Sequence, residues 1–358
     1  MERGAAHRGS PRVTRPLRRR RRARAHAAPG RPGGAGVAVS AGHRLNVVFH
    51  AAAGPDLQAR LAACAGADLA IAVCAETDTA RLAALLPTAD VLWHVLAPAT
   101  AALIAAAPRL RLIQKIGTGV NTIDLDAARA RAIPVCNLPG TNARAVAELT
   151  LALMLAALRR LPRFDAAMRT GRGFALDPAE LDGIGELGGR TVGLVGFGAI
   201  PRLLAPVLTA LGCRLLYTAR TPHADAPGTF RPLDALLGEA DIVSLHLPLT
   251  QETTHLIDAG RLARMRAGAI LINTARGGLI DQTALAAALR SGHLAAAGLD
   301  VFDPEPPDPS TPLLGLPNTV LTPHIAWLTT GTFARSLTLA TENCHRLATG
   351  APLLHRVA

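Results

Sequence analysis

Thr191-Val-Gly-Leu-Val-Gly196-Phe-Gly198-Ala-Ile-Pro201-Arg-Leu-Leu-Ala205 decides the fold. A short apolar run meets Gly196-x-Gly198 and passes straight into a helical pattern, the strand–turn–helix context of a dinucleotide-binding unit. Gly196 permits the tight turn, and Gly198 lets the backbone approach a pyrophosphate. The amides of Ala199 and Ile200 then face the phosphates from a helix N-terminus. Pro201 replaces the third glycine of the fingerprint. Proline is tolerated in a first helical turn, where its missing N–H has no intrahelical partner. The replacement bears instead on the close helix–strand packing that a glycine allows, and a slightly displaced helix start is the expectation.

Working outward, the pattern predicts five more strands after Val192–Phe197: Arg214–Ala219, Asp241–Leu247, Ala269–Ala275, Ala295–Phe302 and Thr319–Thr322. Helices lie between them, Asp281–Arg290 for example, so one six-stranded parallel sheet is expected. Upstream, Leu45–His50, Leu69–Cys74, Val91–Val95, Leu110–Ile116 and Ile133–Asn137 alternate with helical patterns and predict a second α/β sheet. Pro139-Gly140 breaks the chain before a long apolar helix, Ala145–Leu161. A last helical pattern, Thr330–Thr349, follows completion of the second sheet and is expected to pack back on the first. The reading is therefore α/β with two domains. Residues 44–142 plus 326–358 form a discontinuous substrate domain, 143–325 an inserted dinucleotide-binding domain, and the cleft between them is the expected substrate site.

The chain has 358 residues, 49% of them hydrophobic, and a formal net charge of +12. That charge is concentrated: residues 1–43 carry eleven arginines against Glu2 alone, and the remainder is nearly neutral. With few large apolar residues the segment cannot offset its ordering entropy, so a disordered basic tail is expected. An inert extension is favoured over a targeting segment or a nucleic-acid arm. No apolar stretch fits a secretory signal or a membrane span. Cys64, Cys74, Cys136, Cys213 and Cys344 are odd in number and lack CxxC spacing. They read as free thiols of a cytoplasmic protein, and no metal is expected.

Three fragments sit at successive strand ends: Asn273-Thr274-Ala-Arg276, Gly298-Leu-Asp300-Val-Phe-Asp303-Pro-Glu305 and Thr322-Pro-His324-Ile-Ala-Trp327. Ligands of open parallel sheets bind outside the carboxyl ends of the strands. An Arg, a Glu and a His on that side suit reduction of a 2-oxo acid. The histidine supplies a proton near neutral pH, a carboxylate favours its imidazolium form, and an arginine fork holds the substrate carboxylate. Asp303 competes with Glu305 for the carboxylate role. Lys115, the one lysine of the chain, precedes Gly117-Thr118-Gly119 and is a candidate contact for an anionic substrate. Trp327 is a candidate wall of the active site.

These fragments, together with Gly117–Asp124, Asn137–Gly140, Val146-Ala-Glu148 and His246–Thr253, make the chain resemble the D-isomer-specific 2-hydroxyacid dehydrogenases from about Leu110 to Gly350. The resemblance implies a flavodoxin-like substrate domain and an inserted Rossmann domain. It implies Arg276 as carboxylate binder, His324 as acid/base and Glu305 as its partner. The amides of Thr118 and Gly119 would grip the substrate, Thr274 and Asp300 would line the nicotinamide, and Pro248 and Thr253 the adenine side. A homodimer through helix 145–161 is also implied. Small substrates such as glyoxylate or hydroxypyruvate fit the Pro-His-Ile-Ala-Trp fragment. The absence of a further domain after Gly350 points away from the long phosphoglycerate dehydrogenases. The same scaffold is similar to that of dinucleotide-dependent corepressors, and to dehydrogenases of formate or phosphite, which remain alternatives.

An NAD site places Asp or Glu about 20 residues past the turn to bind the ribose 2′-OH. Here Ala219 stands at that position and Arg220-Thr221 follow. NADP(H) is therefore expected over NAD(H).

Overall fold

The structure, a computed structural model, describes residues 44–358. The basic segment 1–43, and with it the expectation of an inert tail, lies outside the described residues. Two parallel sheets are built. The first contains β1 (Leu45–His50), β2 (Leu69–Cys74), β3 (Val91–His94), β4 (Leu112–Lys115) and β5 (Val135–Cys136), in the order β2-β1-β3-β4-β5. That is the flavodoxin-like order. The second contains β6 (Thr191–Val195), β7 (Arg214–Thr218), β8 (Thr229–Phe230), β9 (Ile242–Leu245), β10 (Ala269–Asn273), β11 (Leu294–Leu299) and β12 (Thr319–Leu321), in the order β12-β11-β10-β9-β6-β7-β8. From β6 outward this is a Rossmann sheet, whose order reverses between β6 and β9.

The second sheet has seven strands where the sequence pattern predicts six. The addition, β8, is a two-residue edge strand beside β7, reached through Pro227-Gly228. Two residues are too few to show alternation.

Both sheets are covered on two faces, which explains their continuous apolar runs. Every residue of β6, β9 and β10 is buried. The long helix runs Ala143–Arg159 rather than to Leu161. Arg160 turns left-handed at φ 50°, and a new helix, Leu161–Arg169, starts with Pro162 in its first turn. The proline ring would collide with the carbonyl four residues back, so the first helix cannot continue through it. The inward stripe of the long helix, Ala147, Leu153, Met154, Ala157 and Leu158, packs with Val192, Leu194, Ile270 and Ile272 of the second sheet. Burying a Leu or Met of that stripe contributes about 1.5–3 kcal/mol.

Helix Thr330–Thr349 returns to the first sheet, as expected. Its Phe333, Leu337, Ala340 and Cys344 share a core with Val47, Phe49 and Trp93. The chain thus crosses from one sheet to the other before Ala143 and back again near His324. No helix among the described residues is long and apolar enough to cross a membrane.

Candidate active site

The glycine turn forms as the sequence requires. Gly196 has φ +96°, and a β-carbon there would press on the carbonyl of His246, so only glycine fits. Gly198 caps helix Ala199–Ala210, and a β-carbon on it would meet open space. The helix begins at Ala199, and Pro201 is buried as part of its packed face. Gly198 and Ala199 are exposed at the carboxyl edge of the sheet, with Ile200 half-buried behind them. An open cradle under first-turn amides fits a dinucleotide pyrophosphate.

Around this turn, Thr253 Oγ1 donates to the Pro248 carbonyl at 2.8 Å and accepts from Thr250 N at 2.7 Å, tying those positions into one rim. Arg220 and Thr221 stand exposed beyond β7. Beside them, Arg202 pairs with Asp225, lies 3.2 Å from His223 Nδ1 and covers the Phe197 ring at 5.1 Å. The hydroxyl of Thr274, by contrast, is buried against Thr150 of the long helix at 2.9 Å.

Glu305 and His324 come together although nineteen residues separate them. His324 Nδ1 donates to Glu305 Oε2 at 2.6 Å, and Glu305 Oε1 accepts from Phe302 N at 3.0 Å. Asp303 makes no bond to the histidine; its carbonyl accepts from Gln282 at 2.5 Å. Burial pushes the Glu305 carboxyl up. The hydrogen bond and charge of His324, the Phe302 amide and the Arg276 charge outweigh it and hold the group below the usual carboxylate range. Such a group stays ionised above that depressed value, so its contribution to stability is lost only as pH falls through it.

Asp300 directly follows β11. It is fully buried, and burial raises its carboxyl. Its oxygens accept from Thr322 Oγ1 at 2.6 Å, Ile325 N at 2.9 Å and Ala326 N at 2.9 Å. With His324 N donating to the Asp300 carbonyl at 2.7 Å, this residue clamps the loop that presents the histidine at φ 55°. Trp327 is half-buried. Its Nε1 donates to the His324 carbonyl at 3.0 Å, and its ring packs edge-on against Phe333 at 5.4 Å.

Arg276 crosses the cleft. Its Nε donates to Asn121 Oδ1 at 3.2 Å and its Nη1 to the Ala275 carbonyl at 2.6 Å. The guanidinium passes directly over Gly119, where a β-carbon would collide with it. Burial lowers the Arg276 pKa, and Glu305 opposes that shift. Asn273 braces the turn from below, donating to the Arg276 carbonyl at 2.8 Å. On the facing loop, Asn137 Nδ2 donates to the Thr118 carbonyl at 2.8 Å and Thr118 Oγ1 contacts the Leu138 carbonyl at 3.4 Å. Lys115 is buried below this loop and donates to the Val95 carbonyl. Burial, and then the Arg276 charge, lower its amine to about 7.

One face of the cleft therefore holds a hydrogen-bonded His–Glu pair and a guanidinium beside a glycine loop. Asn121, Asn137 and Asn273 are functional contacts that sequence reasoning missed. Asn121 lies inside the Gly117–Asp124 fragment, but nothing local marks a partner 155 residues away.

Residues 151–326 match the family model described as D-isomer specific 2-hydroxyacid dehydrogenase, NAD binding domain. Among curated proteins, the chain is 41% identical over 256 residues to a glyoxylate reductase of Aeropyrum pernix, covering 69% of this chain and 76% of that one. It is similar in structure to the NADPH-dependent glyoxylate/hydroxypyruvate reductase of Sinorhizobium meliloti, solved with NADP and malonate. The TM-score is 0.76 at 30% identity, over 88% of this chain and 97% of the other. The D-lactate dehydrogenase of Aquifex aeolicus, solved with NAD and lactic acid, matches with TM-score 0.75 at 30% identity, over 85% and 96% of the two chains.

Proposed function

Because the chain belongs to the D-isomer-specific 2-hydroxyacid dehydrogenase family, an NAD(P)-dependent oxidoreductase family acting on CH–OH donors, we propose that its cleft reduces a small 2-oxo acid of the glyoxylate or hydroxypyruvate kind to the D-2-hydroxy acid. The observation that carries this reading is the 2.6 Å His324–Glu305 pair together with Arg276, whose charge acts on Glu305 and whose guanidinium lies over Gly119. Residues 143–325 then hold the cofactor, and 44–142 with 326–358 hold the substrate.

Bound nicotinamide supplies the hydride. The protein does the rest. Arg276 and the amides of Thr118 and Gly119 take the substrate carboxylate, which fixes the keto carbon and polarises its oxygen. Glu305 engages Nδ1 of His324, leaving Nε2 to give its proton to the developing alkoxide. Glu305 remains ionised throughout and stabilises the imidazolium before transfer. Kinetic assays of a panel of 2-oxo acids with NADPH and NADH test the reading; absence of turnover with every member would overturn it.

The finer cofactor choice follows from β7. No carboxylate stands at Ala219, and Arg220 and Thr221 are exposed where a 2′-phosphate would lie. NADPH is expected to give at least about tenfold higher kcat/KM than NADH, since one charge-assisted contact contributes about 1.5–3 kcal/mol. Arg220→Asp is expected to reverse that order, and a wild-type preference for NADH would refute it.

The active assembly is taken to be a homodimer in the cytoplasm. The five cysteines are free, four of them buried. Leu161, Met168, Phe174, Leu181 and Ile184 are exposed along 161–184, Phe174 to 97%. Beside them a cavity of about 280 Å³ opens between Leu158, Pro162 and Ala296. Exposed large apolar side chains concentrated in one segment suit an association surface. Sedimentation is expected to give a dimer, and Phe174→Asp a monomer.

A further inference from the structure

At the carboxyl edge of the first sheet, the last residues of β1, β3 and β4 stand side by side. His50 is in register with His94, and His94 with Lys115. Partnered positions of adjacent strands share one face, and the contacts agree: Lys115 Nζ lies 3.4 Å from His94 Nδ1, and Thr122 Oγ1 lies 3.4 Å from His94 Nε2. All three side chains are buried. Both ring nitrogens of His50 lack a hydrogen-bond partner. Lys115 makes contact with the Val95 carbonyl and His94, neither of them an anion, and no carboxylate pairs with it among the described residues.

A buried basic group without a counter-charge is costly, and proteins avoid it unless something repays the desolvation. This one lies against the substrate loop. A β-carbon at Gly117 would sit 3.5 Å from Lys115 Cε, two residues from the glycine that Arg276 crosses. The loop that grips the substrate carboxylate is thus flanked by two basic side chains. Arg276 reaches it from the second sheet and Lys115 from the first. The Arg276 charge is felt at Lys115, lowering the pKa of its amine. Thr122 joins the same loop to the row through His94. The side of the loop toward the first sheet is therefore backed by a basic, not an apolar, side chain.

We propose that Lys115, backed by His94 and His50, is a specificity-determining residue that reads a second anionic group, carboxylate or phosphate, on the carbon chain of the 2-oxo acid. The proposal rests on the reductase reading of the cleft and adds the substrate's tail to it. An incoming anion would hold the amine in its charged form and supply the missing partner, whereas an aliphatic tail would leave it unpaired.

The test compares kcat/KM for 2-oxobutanedioate, 3-phosphonooxy-2-oxopropanoate and uncharged 2-oxobutanoate in wild type, Lys115→Met and Lys115→Arg. In wild type at least one charged substrate is expected to exceed 2-oxobutanoate by about tenfold or more, as a charge-assisted contact implies. Which charged substrate gains distinguishes carboxylate from phosphate. Lys115→Met should bring the ratio near one, and Lys115→Arg should retain it. Cofactor dissociation constants, read by fluorescence, report that the variants are folded. A thermal shift of the wild-type protein by butanedioate but not butanoate gives a readout independent of turnover. A wild-type ratio near one, or a ratio unchanged in a Lys115→Met protein that binds cofactor, overturns the proposal. Failure of all 2-oxo acids to react overturns instead the reductase reading on which it rests.

Discussion

His324→Ala is expected to lower kcat for 2-oxo acid reduction by roughly 10²–10⁴-fold, the range that a positioned general acid contributes, while the dissociation constant for the nicotinamide cofactor stays the same. The separation follows from where the residue stands. The ring contacts Glu305 and nothing of the Gly196–Ile200 cradle. On the proposed reading its removal would take away the proton source without touching the first-turn amides of helix Ala199–Ala210. The loop itself should persist, since Asp300 holds the amides of Ile325 and Ala326 whatever side chain occupies position 324. Stopped-flow reduction and fluorescence titration together check this. Full activity in the variant would remove His324 from the role of proton donor, and loss of cofactor binding would show that the loop depends on the ring.

The second large effect is expected at Arg276. Arg276→Ala should reduce kcat/KM by about 10²–10³-fold, because truncating one partner of a desolvated charged contact costs 2–5 kcal/mol. The loss should fall on KM and kcat together. On the proposed reading the guanidinium would bind the carboxylate in the ground state and polarise the carbonyl as negative charge develops. Arg276→Lys should recover little. A lysine is a point charge, and the arrangement uses three nitrogens of a rigid fork: Nε on Asn121, Nη1 on the Ala275 carbonyl and Nη2 over Gly119. Equal loss in cofactor binding would indicate a structural rather than a substrate-binding role.

Features that depend on neighbours in the chain are legible in the amino-acid sequence. The glycine turn, the two series of strands and the three strand-end fragments each rest on fewer than ten consecutive residues. The doubly wound order then places those fragments on one edge. The break at Arg160 is also open to reading, since Pro162 forbids the helix that apolar periodicity extends to Leu161. The Arg276–Asn121 contact is not, because pairing across a cleft leaves no periodic trace. Asp300 escapes sequence reasoning for a related reason. Its carboxylate holds Thr322, Ile325 and Ala326, contacts with residues 22–26 positions away that no local pattern announces. The packing of the half-buried Trp327 ring against the core of the first sheet, beside Phe333, is likewise not marked by any local pattern.

That tryptophan makes the histidine loop a coupling rod. His324 is anchored through its amide to Asp300 at the end of β11, while its carbonyl is tethered to an indole set in the opposite lobe. Both anchorages are on the backbone of the one residue. The position of the His324 ring is therefore set by both sheets at once, and a change in either anchorage is a change in where the imidazole stands.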